Sequence, residues 1–210
     1  MKILIVSATR AEATLLYTHF KLPDHDFVQT TEFDIVITGV GMTATAFALG
    51  QRLSPKYSLV LNMGIAGSFD PAIPLGTVLN ITEDEFAELG ADDGDRFIGI
   101  EALGFGKSRF STRHHLLSDV LTPLKKVRGI TVNRVHGSEA GIAEVVRRLD
   151  PITESMEGAA VLYGCEQMGI PCLQVRSISN YVEPRNKENW KIGLAVKNLN
   201  DWVVSFLTNA

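Results

Sequence analysis

The residues best suited to chemistry form two clusters far apart in the chain, and a third candidate stands near its start. Glu157 sits at the head of a helix-forming run, beside Met156, and Arg176-Ser177-Ile178-Ser179-Asn180 closes the apolar strand that follows. In open α/β sheets small ligands bind outside the carboxyl ends of strands, where loops and helix N-termini gather. This order therefore points both clusters at one small, polyhydroxylated substrate. A carboxylate can hold two adjacent hydroxyls with its two oxygens. An acid in a first helical turn also gains about 0.3–1 kcal/mol from the helix dipole alone, so the residue type leaves Glu157 both roles. Met156 reads either as core packing or as a soft wall against a sugar. Glu12, just after the first apolar strand, is placed to take a proton from water. Thr9-Arg10-Ala11-Glu12 is equally the spacing of a capping box, in which Glu12 reaches back to residue 9, and on sequence grounds that is the commoner use.

Gly39-Val40-Gly41-Met42-Thr43-Ala44 fits the G-x-G-x-x-A dinucleotide fingerprint, after one strand and before a helix. It makes an NAD-binding oxidoreductase a rival reading. Against it, the next strand ends in Asn62-Met63-Gly64 with no acid for a ribose hydroxyl, so a tight turn with close helix packing is the simpler account. The five histidines, His19, His25, His114, His115 and His136, have no cysteine or acid at ligand spacing. No metal and no cofactor are therefore expected. A nucleophile elbow of the G-x-S-x-G type is absent.

The elements that would carry these groups alternate. Strands are expected at Lys2 to Ala8, Phe27 to Thr31, Phe33 to Thr38, Ser58 to Met63, Gly76 to Thr82, Ile130 to Val135 and Cys172 to Val175. Helices are expected at Thr9 to Phe20, Thr43 to Leu53, Leu116 to Lys126, Glu139 to Leu149, onward from Glu157 to Met168, and over Asn189 to Leu207, where the apolar spacing is amphipathic. Glu83 to Asp95 reads as an acid-rich loop with room for some strand around Phe86, and residues 96–115 as a region with room for a β-hairpin. The fold expected is a three-layer α/β/α arrangement around a mixed twisted sheet, with residues 1–210 as one domain.

At 210 residues, 45% hydrophobic and a net charge of −4, the chain has ordinary globular composition and no general attraction for nucleic acid or acidic membranes. No stretch approaches the roughly 20 apolar residues of a membrane helix. Cys165 and Cys172 make no disulfide framework, and a reduced, cytoplasmic location follows as an expectation.

Four landmarks, taken together, resemble the nucleoside phosphorylase/nucleosidase family: Ile3-Leu4-Ile5-Val6 followed by Glu12, Asn62-Met63-Gly64-Ile65-Ala66-Gly67, Glu154-Ser155-Met156-Glu157-Gly158-Ala159-Ala160, and Arg176-Ser177-Ile178-Ser179-Asn180. Arg176 to Asn186 and Glu88 to Asp95 look most like the members that hydrolyse futalosine and release hypoxanthine. The resemblance implies that Glu12 activates water, Glu157 holds the 2′- and 3′-hydroxyls, and Met156 packs on the sugar. It implies that Asn180 donates to the departing purine, that Arg176 lies near the water and carboxylates and keeps Glu12 ionised, and that Ser179 with Ala66 and Gly67 completes the walls. Adenine-specific members carry an aspartate where this chain has Asn180, so a 6-oxopurine is expected. Ser155 and Ile65 are further departures from those members. A nucleoside phosphorylase and a methylthioadenosine/S-adenosylhomocysteine nucleosidase are the near alternatives, with Arg10 the nearest cation for a phosphate. Phe86, Phe105, Phe110 and Arg109 are candidates for a 5′ substituent or for the core, and Glu183 to Asn186 for a lid or a solvated loop. By resemblance, a small nucleoside is the partner and a homodimer or larger homo-oligomer the assembly.

Overall fold

Successive side chains of a strand face opposite ways, and the run Ile3-Leu4-Ile5-Val6 sorts the layers accordingly. Ile3 and Ile5 pack with Leu16, Tyr17, Val203 and Phe206. Leu4 and Val6 pack with Leu49, Val161 and Leu162 on the other face. The computed structural model describes residues 2–114 and 121–209. Along the chain, β1 (Ile3–Ser7), α1 (Thr14–His19), β2 (Phe27–Gln29), β3 (Phe33–Ile37), α2 (Met42–Arg52), β4 (Leu59–Ser68) and β5 (Val78–Phe86) come first. Then follow β6 (Gly90–Asp93), β7 (Arg96–Gly99), β8 (Arg109–Ser111), β9 (Lys126–Thr131), α3 (Glu139–Leu149), β10 (Thr153–Ser155), α4 (Gly158–Met168), β11 (Cys172–Tyr181) and α5 (Ile192–Asn209). Helices α1 and α5 cover one face of the sheet, and α2 and α4 the other.

The sheet runs β10-β9-β5-β11-β4-β1-β3-β2, with β8 added on β5. Its centre, β3-β1-β4-β11, is parallel, whereas β5 runs antiparallel to β11. The three-layer mixed architecture expected from the sequence is therefore the one observed. β10 pairs with β9 on one edge and with the end of β4 on the other, so β4, β11, β5, β9 and β10 close into a ring.

Several elements differ from expectation for physical reasons. β4 continues to Ser68 and β11 to Tyr181. The glycines Gly64 and Gly67 are part of the strand because each stands opposite a large polar residue, Arg176 and Asn180. A Cβ on Gly64 would meet Arg176 Nη1 at 3.1 Å, and one on Gly67 would meet Asn180 Nδ2 at 3.1 Å. α1 begins at Thr14 rather than Thr9, since residues 9–12 are spent on a side-chain-bonded turn. The acid-rich stretch carries the end of β5 and all of β6, which pairs with β7 just beyond it. Of the helix expected over Leu116 to Lys126, residues 115–120 lie outside the described residues, and Lys126 already belongs to β9.

Candidate active site

Glu12 closes the turn after β1 and divides its oxygens. Oε2 accepts from Thr9 N at 3.0 Å and from Thr9 Oγ1 at 2.8 Å, while Glu12 N donates to Thr9 Oγ1 at 3.2 Å, which are the reciprocal bonds of a capping box. Oε1 instead accepts from Ile65 N, in β4, at 3.0 Å. The two readings of this residue are thus compatible, because one oxygen serves each.

Glu157 caps α4. Its Oε1 accepts from Gly41 N at 2.9 Å. Gly41 has φ 95°, a left-handed conformation that suits glycine. The G-x-G turn therefore presents an N–H to a carboxylate of this chain. Burial lifts the Glu157 carboxyl above its ordinary value; Arg176 and the Gly41 N–H pull it back, and the charge of Glu12 adds to the rise. Glu12, Glu157 and Arg176 thus share one electrostatic neighbourhood.

Both carboxylates line one cavity of about 380 Å³. Ala66 and Gly67 of β4, Met156, and Ser179 and Asn180 of β11 line it too. Asn180 Oδ1 accepts from Ser179 Oγ at 2.8 Å and Nδ2 donates to Tyr181 O at 3.0 Å, which leaves a second amide hydrogen for a ligand.

Arg176 lies behind the cavity wall rather than in it, 2% exposed. Gly64 stands beside it in register, and the point a Gly64 Cβ would occupy is 3.1 Å from Arg176 Nη1 and 3.0 Å from Glu12 Oε1. Arg176 Nη1 donates to Asn62 Oδ1 at 3.3 Å. From there a buried chain of hydrogen bonds crosses the sheet. Asn62 Nδ2 donates to Gln174 Oε1 at 3.1 Å, and Gln174 Nε2 donates to Asp84 Oδ2 at 2.6 Å. Thr131 Oγ1 donates to Asp84 Oδ1 at 2.8 Å and accepts from Ala159 N at 2.7 Å. The chain ties Arg176 to the first turn of α4, next to Glu157. Burial pushes the Asp84 carboxyl up to about 6, against the hydrogen bonds of Gln174 and Thr131 and the charge of Arg176.

Other candidates fall elsewhere. Phe86, Phe105 and Phe110 line a separate apolar cavity of about 740 Å³, and Arg109 is paired with Glu85 at 2.7 Å. Arg10 bonds Asp24 at 3.1 Å and lies over the Tyr17 ring. Glu183 and Arg185 reach the cavity edge, while Asn186 Oδ1 accepts from Glu188 N at 3.1 Å. Among the described residues no cluster of three or more His, Cys, Asp or Glu side chains could hold a metal.

The sequence reading missed two groups in the cavity wall. Trp190, Ile192 and Val196, where α5 begins, form its apolar side; the amphipathic spacing of that segment placed them in a helix without saying what its first turn covers. Glu154 and His136 also line the cavity and bond each other through Oε2 and Nδ1. Glu154 was in view within Glu154-Ser155-Met156-Glu157, but nothing local marks its partner.

Comparison with known proteins gives the chain its relatives. Over 185 residues, 81% of this chain and 77% of the relative, the sequence is 31% identical to a futalosine hydrolase of Streptomyces coelicolor. The fold matches a solved futalosine hydrolase of Helicobacter pylori with a TM-score of 0.84 at 18% identity, covering 100% of this chain and 98% of that one. It matches equally, at TM-score 0.84 and 17% identity over 100% and 99% of the two chains, a 5′-methylthioadenosine/S-adenosylhomocysteine nucleosidase of the same organism bound to butyl-thio-DADMe-Immucillin-A. Residues 2–208 match the phosphorylase superfamily, and this chain belongs to it.

Proposed function

We propose that this N-glycosidase hydrolyses a 6-oxopurine nucleoside, namely futalosine, releasing hypoxanthine and leaving dehypoxanthine futalosine, as a cytoplasmic step of menaquinone biosynthesis. The observation that carries the reading is the convergence of Glu12, Glu157 and Asn180 on one cavity of about 380 Å³. Breaking an N-ribosyl bond passes through an oxocarbenium-like cation, which is stabilised by negative charge near the sugar and by donors to the leaving base. Glu12 Oε1, held by Ile65 N, takes the proton of the attacking water. Glu157, held by Gly41 N, accepts from the two ribose hydroxyls, and Met156 packs on the sugar. The free amide hydrogen of Asn180 goes to the purine, with Ser179, Ala66 and Gly67 as walls. Arg176, behind the wall, favours the ionised form of Glu157.

Two features favour water over phosphate as the nucleophile. Glu12 puts a negative charge where a phosphate would have to enter, and Arg10, the nearest candidate cation, is occupied by Asp24 and Tyr17. The bond from Gly41 N to Glu157 also weighs against a dinucleotide at the G-x-G turn. The working form is proposed to be a homodimer or larger homo-oligomer. Phe47 and Phe105 are 70% and 79% exposed, and Phe105 borders the apolar cavity; apolar surface of this kind supports an assembly.

The test is incubation with futalosine, inosine and methylthioadenosine, with and without phosphate, followed by chromatography of free base. Phosphate-independent release of hypoxanthine from futalosine supports the reading. Phosphate-dependent cleavage, or release of adenine alone, overturns it.

A further inference from the structure

Helix α1 begins at Thr14, and its N-cap, Ala13, makes no side-chain cap bond. Were the helix to continue back through the preceding turn, Leu16 N would donate to Glu12 O, four residues earlier. The side-chain amide of Asn200, from α5, stands between these two groups instead. Its Oδ1 accepts from Leu16 N at 2.9 Å, and its Nδ2 donates to Glu12 O at 2.7 Å. A side chain inserted into the ladder of a helix is one of the few causes of a sharp break in it.

The residue type suits the place. Asn200 is fully buried, and it must offer one acceptor and two donors, because Nδ2 also donates to Val196 O at 2.7 Å. A primary amide has both, whereas an ionised carboxylate of the same shape has no donor. Val196 lines the cavity together with Trp190 and Ile192. The helix that forms the apolar side of the cavity therefore also holds, one turn further on, the backbone of Glu12. The insertion bears on where that carboxylate points. Kept out of α1, residue 12 completes the Thr9 turn and reaches Ile65 N in β4 at 3.0 Å. Without it, Leu16 N and Glu12 O would be free to bond each other, drawing Glu12 into the helix and away from Ile65.

We propose that Asn200 is a positioning residue for the water-activating carboxylate: its amide, wedged between Leu16 N and Glu12 O, holds Glu12 out of α1 so that Oε1 stays on Ile65 N at the cavity. The inference rests on the reading of Glu12 as the base. It adds a residue from the far end of the chain that touches neither water nor nucleoside and acts through Glu12 alone.

The experiment is a double-mutant cycle on release of hypoxanthine from futalosine. Asn200→Ala and Asn200→Asp are each made in the unmodified chain and in Glu12→Gln. Asn200→Ala lets Leu16 N and Glu12 O pair, so it is expected to fold. Asn200→Asp keeps the acceptor for Leu16 N and loses the donor to Glu12 O, and it decides the matter if the alanine variant does not fold. Either substitution should lower the turnover number by about 10–100-fold with KM within a few-fold, the scale on which a small misplacement of a catalytic group is felt. In Glu12→Gln, where no base is left to position, the same substitution should cost at most about 3-fold, because changes that act through one group do not add. A merely structural role would lower the active fraction alike in both backgrounds. Equal losses therefore overturn the proposal, as does an unchanged turnover number in the Asn200 variants. If Glu12→Gln turns over as fast as the unmodified chain, the role of Glu12 falls and this inference with it. If the unmodified chain releases no base, the nucleosidase reading itself is overturned.

Discussion

Ile65 N–H donates to Glu12 Oε1 at 3.0 Å while Thr9 holds the other oxygen. One side chain thus stabilises its own turn and presents a fixed acceptor to the cavity. Replacing Glu12 by Gln keeps an oxygen for Ile65 but removes the base. The turnover number for hypoxanthine release should fall by about 10²–10⁴, with KM within a few-fold. The Thr9 N–H loses its acceptor, so stability should drop by about 1 kcal/mol in denaturant titration. An unchanged turnover number would leave Glu12 with the turn alone.

Glu157 should set an acid limb in the rate. Burial raises its carboxyl above the usual value, and only the ionised form accepts from two hydroxyls. kcat/KM is therefore low below the raised pKa and climbs as pH passes upward through it. Glu157→Gln should lower kcat/KM by about 100-fold, the scale of hydrogen bonds to a charged group, and should lack that limb. A pH–rate profile of both proteins decides; a limb kept by the Gln variant assigns it to another group.

Asn180 supplies a donor at every pH. Asn180→Asp should shift preference from 6-oxo toward 6-amino purine nucleosides by at least about 10-fold in relative kcat/KM. A panel of inosine and adenosine analogues measures it, and an unaltered ratio would place base selection elsewhere.

Asp84 ties stability to pH. Its folded value is pushed up to about 6 by burial, above the ordinary carboxylate range, so the fold favours the protonated form. The stability this group contributes is fully present below about pH 4 and is lost as pH rises through about 6, up to roughly 3 kcal/mol for a two-unit rise. An Asn at this position can accept from Gln174 and donate to Thr131, so Asp84→Asn should fold and lack this slope. Denaturant titrations at pH 4.5 and 7.5 compare the two proteins; parallel behaviour would show that Asp84 does not titrate there.

Assembly can be measured directly. Sedimentation should give a dimer or larger species, and Phe47→Glu with Phe105→Glu should shift it toward monomer. A monomeric unmodified chain at micromolar concentration would count against the proposed assembly.

The parts of this molecule legible in its sequence are those whose signals are local. Ile3 to Val6 announces a buried strand because four aliphatics in a row have few other uses, and the helix expected over Glu139 to Leu149 is α3, opened by Ser138, whose Oγ accepts from Gly141 N. Gly64 to Gly67 was harder. Glycines usually punctuate, yet here they continue β4 because Arg176 and Asn180 need the space across the ladder. Thr153-Glu154-Ser155, all polar, carries no strand signal of its own; it is a buried strand because closure of the ring holds it on both edges. The pairing of Glu154 with His136 depends on where β10 is held by its neighbours, which no short window of residues encodes.

That closure has a consequence for how the pocket could change. β10 is gripped on both edges, so the interval from Glu154 to Glu157 fixes how far the head of α4 stands from the end of β4. One extra residue inserted within Thr153–Ser155 would turn the strand side chains after it to the opposite face and push Glu157 out of place. The two wall carboxylates are mechanically geared, and a variant with a re-aimed Glu154 inherits a displaced Glu157.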